Sequence, residues 1–411
     1  MPFSVGAARF AWLLDWFLEQ GRNHLLLVGL PILLALGALC IGRYIVPPDH
    51  VMGILLGQIF PIEPYWQSIE ETVVMQIRLP RVILALSIGA GLSVSGAAFQ
   101  GMFGNPLVSP HILGVSSGAG FGAALSILTF RHLAFVPIGA LCFGVIAIVI
   151  ALWISRRGGR SSLFMLILAG VITGAMFEAL LSLIKYLADP DDTLPTIVCW
   201  LMGSLASPGW HKLIWGLPLI LIGIAVLYAL RWRLNVLSLS DVEAHALGVN
   251  LKRMRWTVIF AATLITAASV SLAGIIGWVG LVIPHVARII IGSNHQVLIP
   301  ATISLGAGYL LVIDTIARTS TAAEIPISIL TAVIGAPFFA WLLKTHRASI
   351  GKARIFGHCG LEPKKQVKKE QRHGYLLRKF FMYFNPPDVF GVAFGARYPD
   401  FPLRPLLYPL F

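Results

Sequence analysis

The chain has 411 residues, 57% of them hydrophobic and only 12% charged, and its mean hydropathy is +0.82. A water-soluble fold has no place for several apolar runs of about twenty residues, the length that crosses a hydrocarbon core roughly 30 Å thick. A membrane β-barrel would instead show strands of about ten residues with alternating polarity, and the charge of +13 sits largely in loops between apolar runs, as in a membrane protein with basic cytoplasmic loops rather than a nucleic-acid binder.

In chain order, residues 1–24 read as a short amphipathic lead-in with Trp12 and Trp16 at a membrane interface. The first apolar run, 25–46, lacks a cleavage site and is long enough to stay as an anchor. Further spans are expected at 80–102, 112–130, 134–155, 163–187, 211–231, 256–276, 298–317 and 327–344. Two apolar elements, 194–206 and 278–291, are shorter than a span. The second contains Pro284 and His285 and would complete a tenth crossing. Broken backbone at that depth must be buried in protein or line a cavity. The expected fold is therefore all-α, a polytopic membrane protein with about ten transmembrane helices. Its membrane domain is 25–345, between the cytoplasmic lead-in and a basic, disordered extension, 346–411, carrying Lys364, Lys365, Lys368 and Lys369.

Loop charge sets the orientation. Arg156, Arg157 and Arg160 share one loop, and Arg231, Arg233, Lys252, Arg253 and Arg255 flank another. Glu63, Glu70, Glu71 and the run DPDD at 189–192 lie in the opposite loops. The basic loops, and both termini with them, are expected in the cytoplasm. Three arginines then stand on the outer side: Arg78 and Arg81 in RLPR, and Arg318 after the 298–317 span. Two readings are open for them: contact with lipid phosphates or helix C-terminal carbonyls, or docking of an acidic surface from outside.

Gly114, Gly118 and Gly122 repeat at the spacing that lets membrane helices approach closely, and Gly274, Gly277 and Gly280 mark a bend. No phosphate-cradling G-x-x-x-x-G-K-[ST] occurs, nor H-E-x-x-H, nor G-x-S-x-G. The four cysteines (Cys40, Cys142, Cys199, Cys359) are far apart, and there is no dense His/Cys/carboxylate cluster. Glu178, Arg288 and Asp314 are the main ionisable groups inside spans, where charge is costly and functional by default. They are too sparse for a proton relay, so the energy source is expected on another chain. The segment LSLSDVEAHALGVN (237–250) places Leu239, Val242, Ala246 and Val249 at i, i+3, i+7 and i+10, which predicts an amphipathic cytoplasmic helix.

Several long motifs carry a resemblance. The stretch RLPRVILALSIGAGLSVSGAAFQGMFGNPLVSPHILGVSSGAGFG (78–122) is followed in order by DVEAHALGVN, GIIGWVGLVIPHVARIIIG (274–292) and DTIART…AAEIPISILTAVIGAPFFAWLL (314–343). Together they resemble the FecCD-type permeases of type II ABC importers for iron siderophores, haem and cobalamin, over roughly residues 25–345. The resemblance implies a permease with ten membrane helices, paired with a second copy as a homodimer or with a paralogue. It also implies two P-loop ATPases that use the ATP, an extracytoplasmic binding protein, and substrate passage along the permease interface by alternating access. The chain itself is then neither an enzyme nor a cofactor or metal binder, and it needs no nucleic acid.

By the same resemblance, Arg78, Arg81 and Arg318 face glutamates of the binding protein. Asn105, Pro106 and Leu107 narrow the path on the cytoplasmic side, with Ser161 and Ser162 opposite. Asp241, Glu243, Ala244, Leu247 and Gly248 belong to the coupling helix seated in the ATPase. Ser240 and His245 depart from the usual Gly and Arg of that helix. A ferric siderophore is the expected cargo, with haem or cobalamin as the alternative, and an ion-coupled secondary transporter or a non-transporting scaffold as competing classes.

Overall fold

A computed structural model describes residues 27–130, 133–155, 163–206, 209–239 and 241–356, and the description below concerns the unit ending at Ile350. The lead-in 1–24, the loop from Arg156 through Ser161 and Ser162, Ser240, and the extension beyond 356 lie outside the described residues. Among those described, every regular element is helical. They are α1 (Leu27–Cys40), α2 (Pro48–Gly57), α3 (Ser68–Thr72), α4 (Leu79–Phe103), α5 (Val115–Phe130), α6 (Val136–Ser155), α7 (Leu163–Leu187) and α8 (Thr193–Leu201). There follow α9 (Gly209–Ala229), α10 (Arg231–Leu237), α11 (Asp241–Ala246), α12 (Leu251–Ala273), α13 (Val279–Ile291), α14 (His295–Thr319) and α15 (Ile327–Phe356).

Six described helical segments are long and apolar enough to cross a bilayer, and four shorter apolar helices, α1, α5, α13 and the start of α15, bring the set to ten. This is a polytopic all-α membrane protein. Two local readings are corrected. The second span begins not at 80 but at Ser68, because α3 runs through a π-helical segment, Val73–Arg78, into α4 as one helix of 36 residues. Charged Glu70 and Arg78 look like a span boundary in sequence, yet both are buried against partners inside the chain. Second, α2 was not expected. It starts on Pro48, whose missing N–H and fixed φ suit a first helical turn, and it buries Val51 and Ile54.

The centre of the bundle is α4, which packs on α14, α12, α9 and α13. Small residues make those contacts close. A β-carbon on Gly89 would strike the Gly306 carbonyl, and one on Gly96 the Gly280 carbonyl. Without a hydrophobic drive between helices in lipid, such close packing is what holds a membrane bundle together. A second group, α5, α6 and α7, joins the first through α12. There Gly122 meets Gly139, and Gly118 meets Ala147 and the backbone of Phe143. The outer faces of α6, α7 and α9 expose Trp153, Phe164, Ile214 and Trp215, as lipid-facing helices do. The expected bend is present: Gly274 ends α12 at φ 75°, and Trp278 starts α13 at φ 68°.

Candidate functional site

α4 and α14 run antiparallel. Arg81 near the start of α4 bonds Asp314 near the end of α14, while Gly101 near the end of α4 lies against His295 at the start of α14. The 25-residue α4 separates these two poles by about 37 Å at 1.5 Å per residue.

On the expected orientation the outer pole is the one that holds all three arginines, each of them buried. All three nitrogens of the Arg81 fork are engaged: its Nε and Nη2 donate to Asp314 at 2.8 to 3.0 Å, and its Nη1 and Nη2 donate to Glu324 at 2.9 Å. Paired N–H···O bonds of this kind are the strong, geometrically specific form of the Arg–carboxylate contact. Arg78 donates through Nη1 to the carbonyls of Leu39 and Cys40, at 2.6 and 3.1 Å, and through Nη2 to that of Tyr44. Arg318 donates through Nη2 to the Ala38 carbonyl, and its buried Nε has no partner among the described residues. Ala38, Leu39 and Cys40 are the last turn of α1, whose carbonyls have no partner within the helix. Arg78 and Arg318 therefore cap α1, which matches the carbonyl-contact reading of these positions. Arg81 instead pairs with acids of its own chain. Glu324 was not recognised from sequence as a functional residue, and Asp314 was singled out without a partner.

The inner pole carries the other expected residues. α4 ends on Gly104 at φ 60°, and Asn105 turns the chain by accepting the Leu107 N–H on its side-chain oxygen at 2.9 Å. Asn105, Pro106 and Leu107 are exposed, while Val108 anchors the loop in the core. Ser161 and Ser162, the expected opposite side of this constriction, are outside the described residues.

The helix expected within 237–250 is shorter than the apolar pattern from Leu239 to Val249: α10 ends at Leu237, α11 spans only Asp241–Ala246, and Gly248 at φ 71° ends it. Leu239, Ala246, Leu247 and Gly248 are exposed, and Ala244 is the buried anchor. Glu243 is exposed too; the side chains of Asp241, Val242 and His245 are outside the described set. At its far end Asn250 caps α12 by accepting the Arg253 N–H at 3.0 Å. The result is a short helical segment joined to α10, with apolar Leu239 and Leu247, 44% and 61% exposed, facing out.

Of the intramembrane ionisable groups, Asp314 is consumed at the outer pole and Arg288 is half-buried. Glu178 lies on the exposed side of α7 and accepts a bond from the Ser117 hydroxyl at 3.1 Å. Among the described residues no group of three or more His, Cys, Asp or Glu side chains is placed to hold a metal ion.

A model of the FecCD transport family matches residues 29–345. The chain is 44% identical to the molybdate import system permease protein MolB of Haemophilus influenzae, over 77% of this chain and 95% of that one. It is 42% identical to an iron chelatin transport system permease of Helicobacter pylori, over 66% of this chain and 82% of the relative. A solved structure described as an inward-facing conformation of a metal-chelate type ABC transporter superposes with a TM-score of 0.71 at 42% identity, over 79% of this chain and 99% of that one.

Proposed function

This chain belongs to the FecCD transport family as the permease subunit of an ABC importer of a metal-chelate-type substrate, and we propose that its cargo is a metal in anionic form, molybdate. The permease is not itself the ATPase, and the family implies ATPase and binding-protein partners. The observation that carries the mechanism is the separation of the two poles. The Asn105–Leu107 loop follows the end of α4 at one pole, where α10, bonded to the start of α14, leads into a short lever with exposed Leu239 and Leu247. The arginine cluster lies at the other end. An amphipathic helix seated in a groove transmits displacement through a few apolar anchors. On this reading the inner pole is cytoplasmic and takes the ATPase through exposed Glu243, Leu247 and Gly248, with buried Ala244 anchoring α11 beneath them. The outer pole receives the binding protein at the surface underlain by Arg78, Arg81 and Arg318.

Assembly as a pair of permeases is supported by Glu178. An exposed carboxylate in mid-span is expensive against hydrocarbon and belongs beside protein or water. A second copy across an aqueous path supplies both. The Asn105–Leu107 loop then narrows that path at its inner end.

The molybdate reading is supported by identity extending over nearly the whole of MolB. A ferric siderophore is the second reading, supported by the motif resemblance and by the similarity to the iron chelatin permease. The test is reconstitution of the full chain with its ATPase and binding-protein partners. ATP-dependent uptake of radiolabelled molybdate is followed in parallel with that of a ferric siderophore. Molybdate uptake that a ferric siderophore does not compete supports the first reading. The reverse pattern replaces it with the second, and uptake that persists without the ATPase overturns the importer.

A further inference from the structure

α10 is bolted to the start of α14 by one side chain. Asn235 donates through Nδ2 to the side-chain oxygen of Asn294 at 2.9 Å. Its own Oδ1 accepts the backbone N–H of His295 at 2.8 Å and lies 2.9 Å from the His295 Nδ1. An amide oxygen only accepts, so His295 carries its proton on Nδ1. Its buried Nε2 then has no hydrogen-bond partner among the described residues. That edge of the ring faces Gly101 on α4, where any β-carbon would collide with it.

Helix capping does not require this arrangement. Asn294 already caps α14 by accepting the Gln296 N–H at 3.0 Å. The bonds from Asn235 are additional, and they join two elements that are 60 residues apart in the chain. α10 leads directly into the lever α11 and is held in the core by Leu234, Val236 and Leu237. Gly101 lies three residues before Gly104, where α4 ends and the Asn105–Leu107 loop begins. The contacts therefore run from α10, which leads into the lever, through Asn235 to His295, and from the His295 ring to Gly101, three residues before α4 gives way to the loop.

We propose that Asn235 and His295 form the joint through which displacement of α11 reaches α14 and the Asn105–Leu107 constriction. They are positioning residues that touch neither substrate nor ATP. The proposal rests on the importer reading given above. A coupled opening needs a discrete physical element that both sites bias, and the joint supplies it at the branch between lever, α14 and α4.

The test uses the full chain in proteoliposomes with its ATPase and binding protein. Radiolabelled molybdate, and a ferric siderophore in parallel, serve as probes. Asn235→Leu removes the acceptor and the donor, whereas Asn235→Asp keeps the acceptor for His295. Asn235→Leu should leave membrane abundance and ATPase association unchanged. It should raise the ATP hydrolysed per substrate carried by about ten-fold, within the range of typical coupling effects, and Asn235→Asp should restore most of the coupling. Should Asn235→Leu fail to accumulate, Asn235→Ser, which is too short to span the gap, takes its place. A wild-type chain that shows no ATP-dependent uptake overturns the importer reading on which the joint depends. A coupled wild type with an equally coupled Asn235→Leu or Asn235→Ser overturns the joint alone.

Discussion

The guanidinium of Arg81 and the carboxylate of Asp314 meet through three hydrogen bonds of 2.8 to 3.0 Å, with both side chains buried. The pair fastens the start of α4 to the end of α14, and Glu324 on the loop before α15 completes it. Removing one partner of a buried pair strands the other charge, at a cost of about 3–5 kcal/mol. Arg81→Ala and Asp314→Asn should therefore lower the thermal unfolding midpoint of the purified protein sharply. Glu324 is 30% exposed, so Glu324→Gln should cost much less. An Arg81→Ala protein as stable as wild type would remove the fastening role.

Docking through Arg81 predicts an effect of the opposite sign at Glu324. In the present arrangement that acid occupies the same Nη1 and Nη2 donors that a partner's carboxylate would need. Glu324→Gln leaves a weaker, neutral acceptor in its place. The binding protein should then associate about ten-fold more tightly, the value of one charge-assisted hydrogen bond. The check is equilibrium binding of the secreted protein to the detergent-purified permease. Unchanged or weaker binding would place docking on other groups of the outer pole.

How much of this was legible in the sequence differs from one pole to the other. The spans were readable because a bilayer imposes length and apolarity on each helix independently of its neighbours. Span edges failed where charge is cancelled by tertiary partners, as at Glu70, which bonds His50, and at Arg78, which bonds carbonyls of α1. The acid that holds Arg81 is 233 residues away along the chain, a distance over which no periodic pattern reports contact. At the inner pole the 3.6-residue pattern put Leu239, Val242, Ala246 and Val249 on one apolar face of a single short helix. Gly248, in a left-handed conformation, and the break after Leu237 divide the segment instead, and the exposed apolar residues are left without cover in the isolated chain. Such exposure fits the partner surface proposed above, a role that periodicity alone cannot distinguish from a buried face.

Leu247 separates coupling from folding. At 61% exposure it contributes little to the packing of the isolated chain, so Leu247→Asp should leave membrane abundance and thermal stability unchanged. A carboxylate forced into an apolar groove costs several kcal/mol unless it is paired. Association with the ATPase should therefore fall at least ten-fold, and uptake with it. Co-purification of the ATPase with the tagged permease measures this directly. Normal association together with normal uptake would exclude this face of α11 from the contact.

The contact between α4 and α13 gives a test of packing at the centre of the bundle. α13 has 13 residues and is about 20 Å long, too short to span the bilayer by itself, so its place depends on the helices it touches. Gly96 lies directly against the Gly280 backbone, and a β-carbon there would run into the Gly280 carbonyl. Backbone cannot rotate away as a side chain can, so Gly96→Ala must push α13 off α4. Overpacking of this kind costs about 1–3 kcal/mol. Gly277, in the turn just before α13, has open space within 4 Å of the place a β-carbon would take and no positive φ, and Gly277→Ala should be silent within about 0.5 kcal/mol. Thermal unfolding of the two variants side by side measures the difference. Equal midpoints would mean that α13 is held by something other than its approach to Gly96.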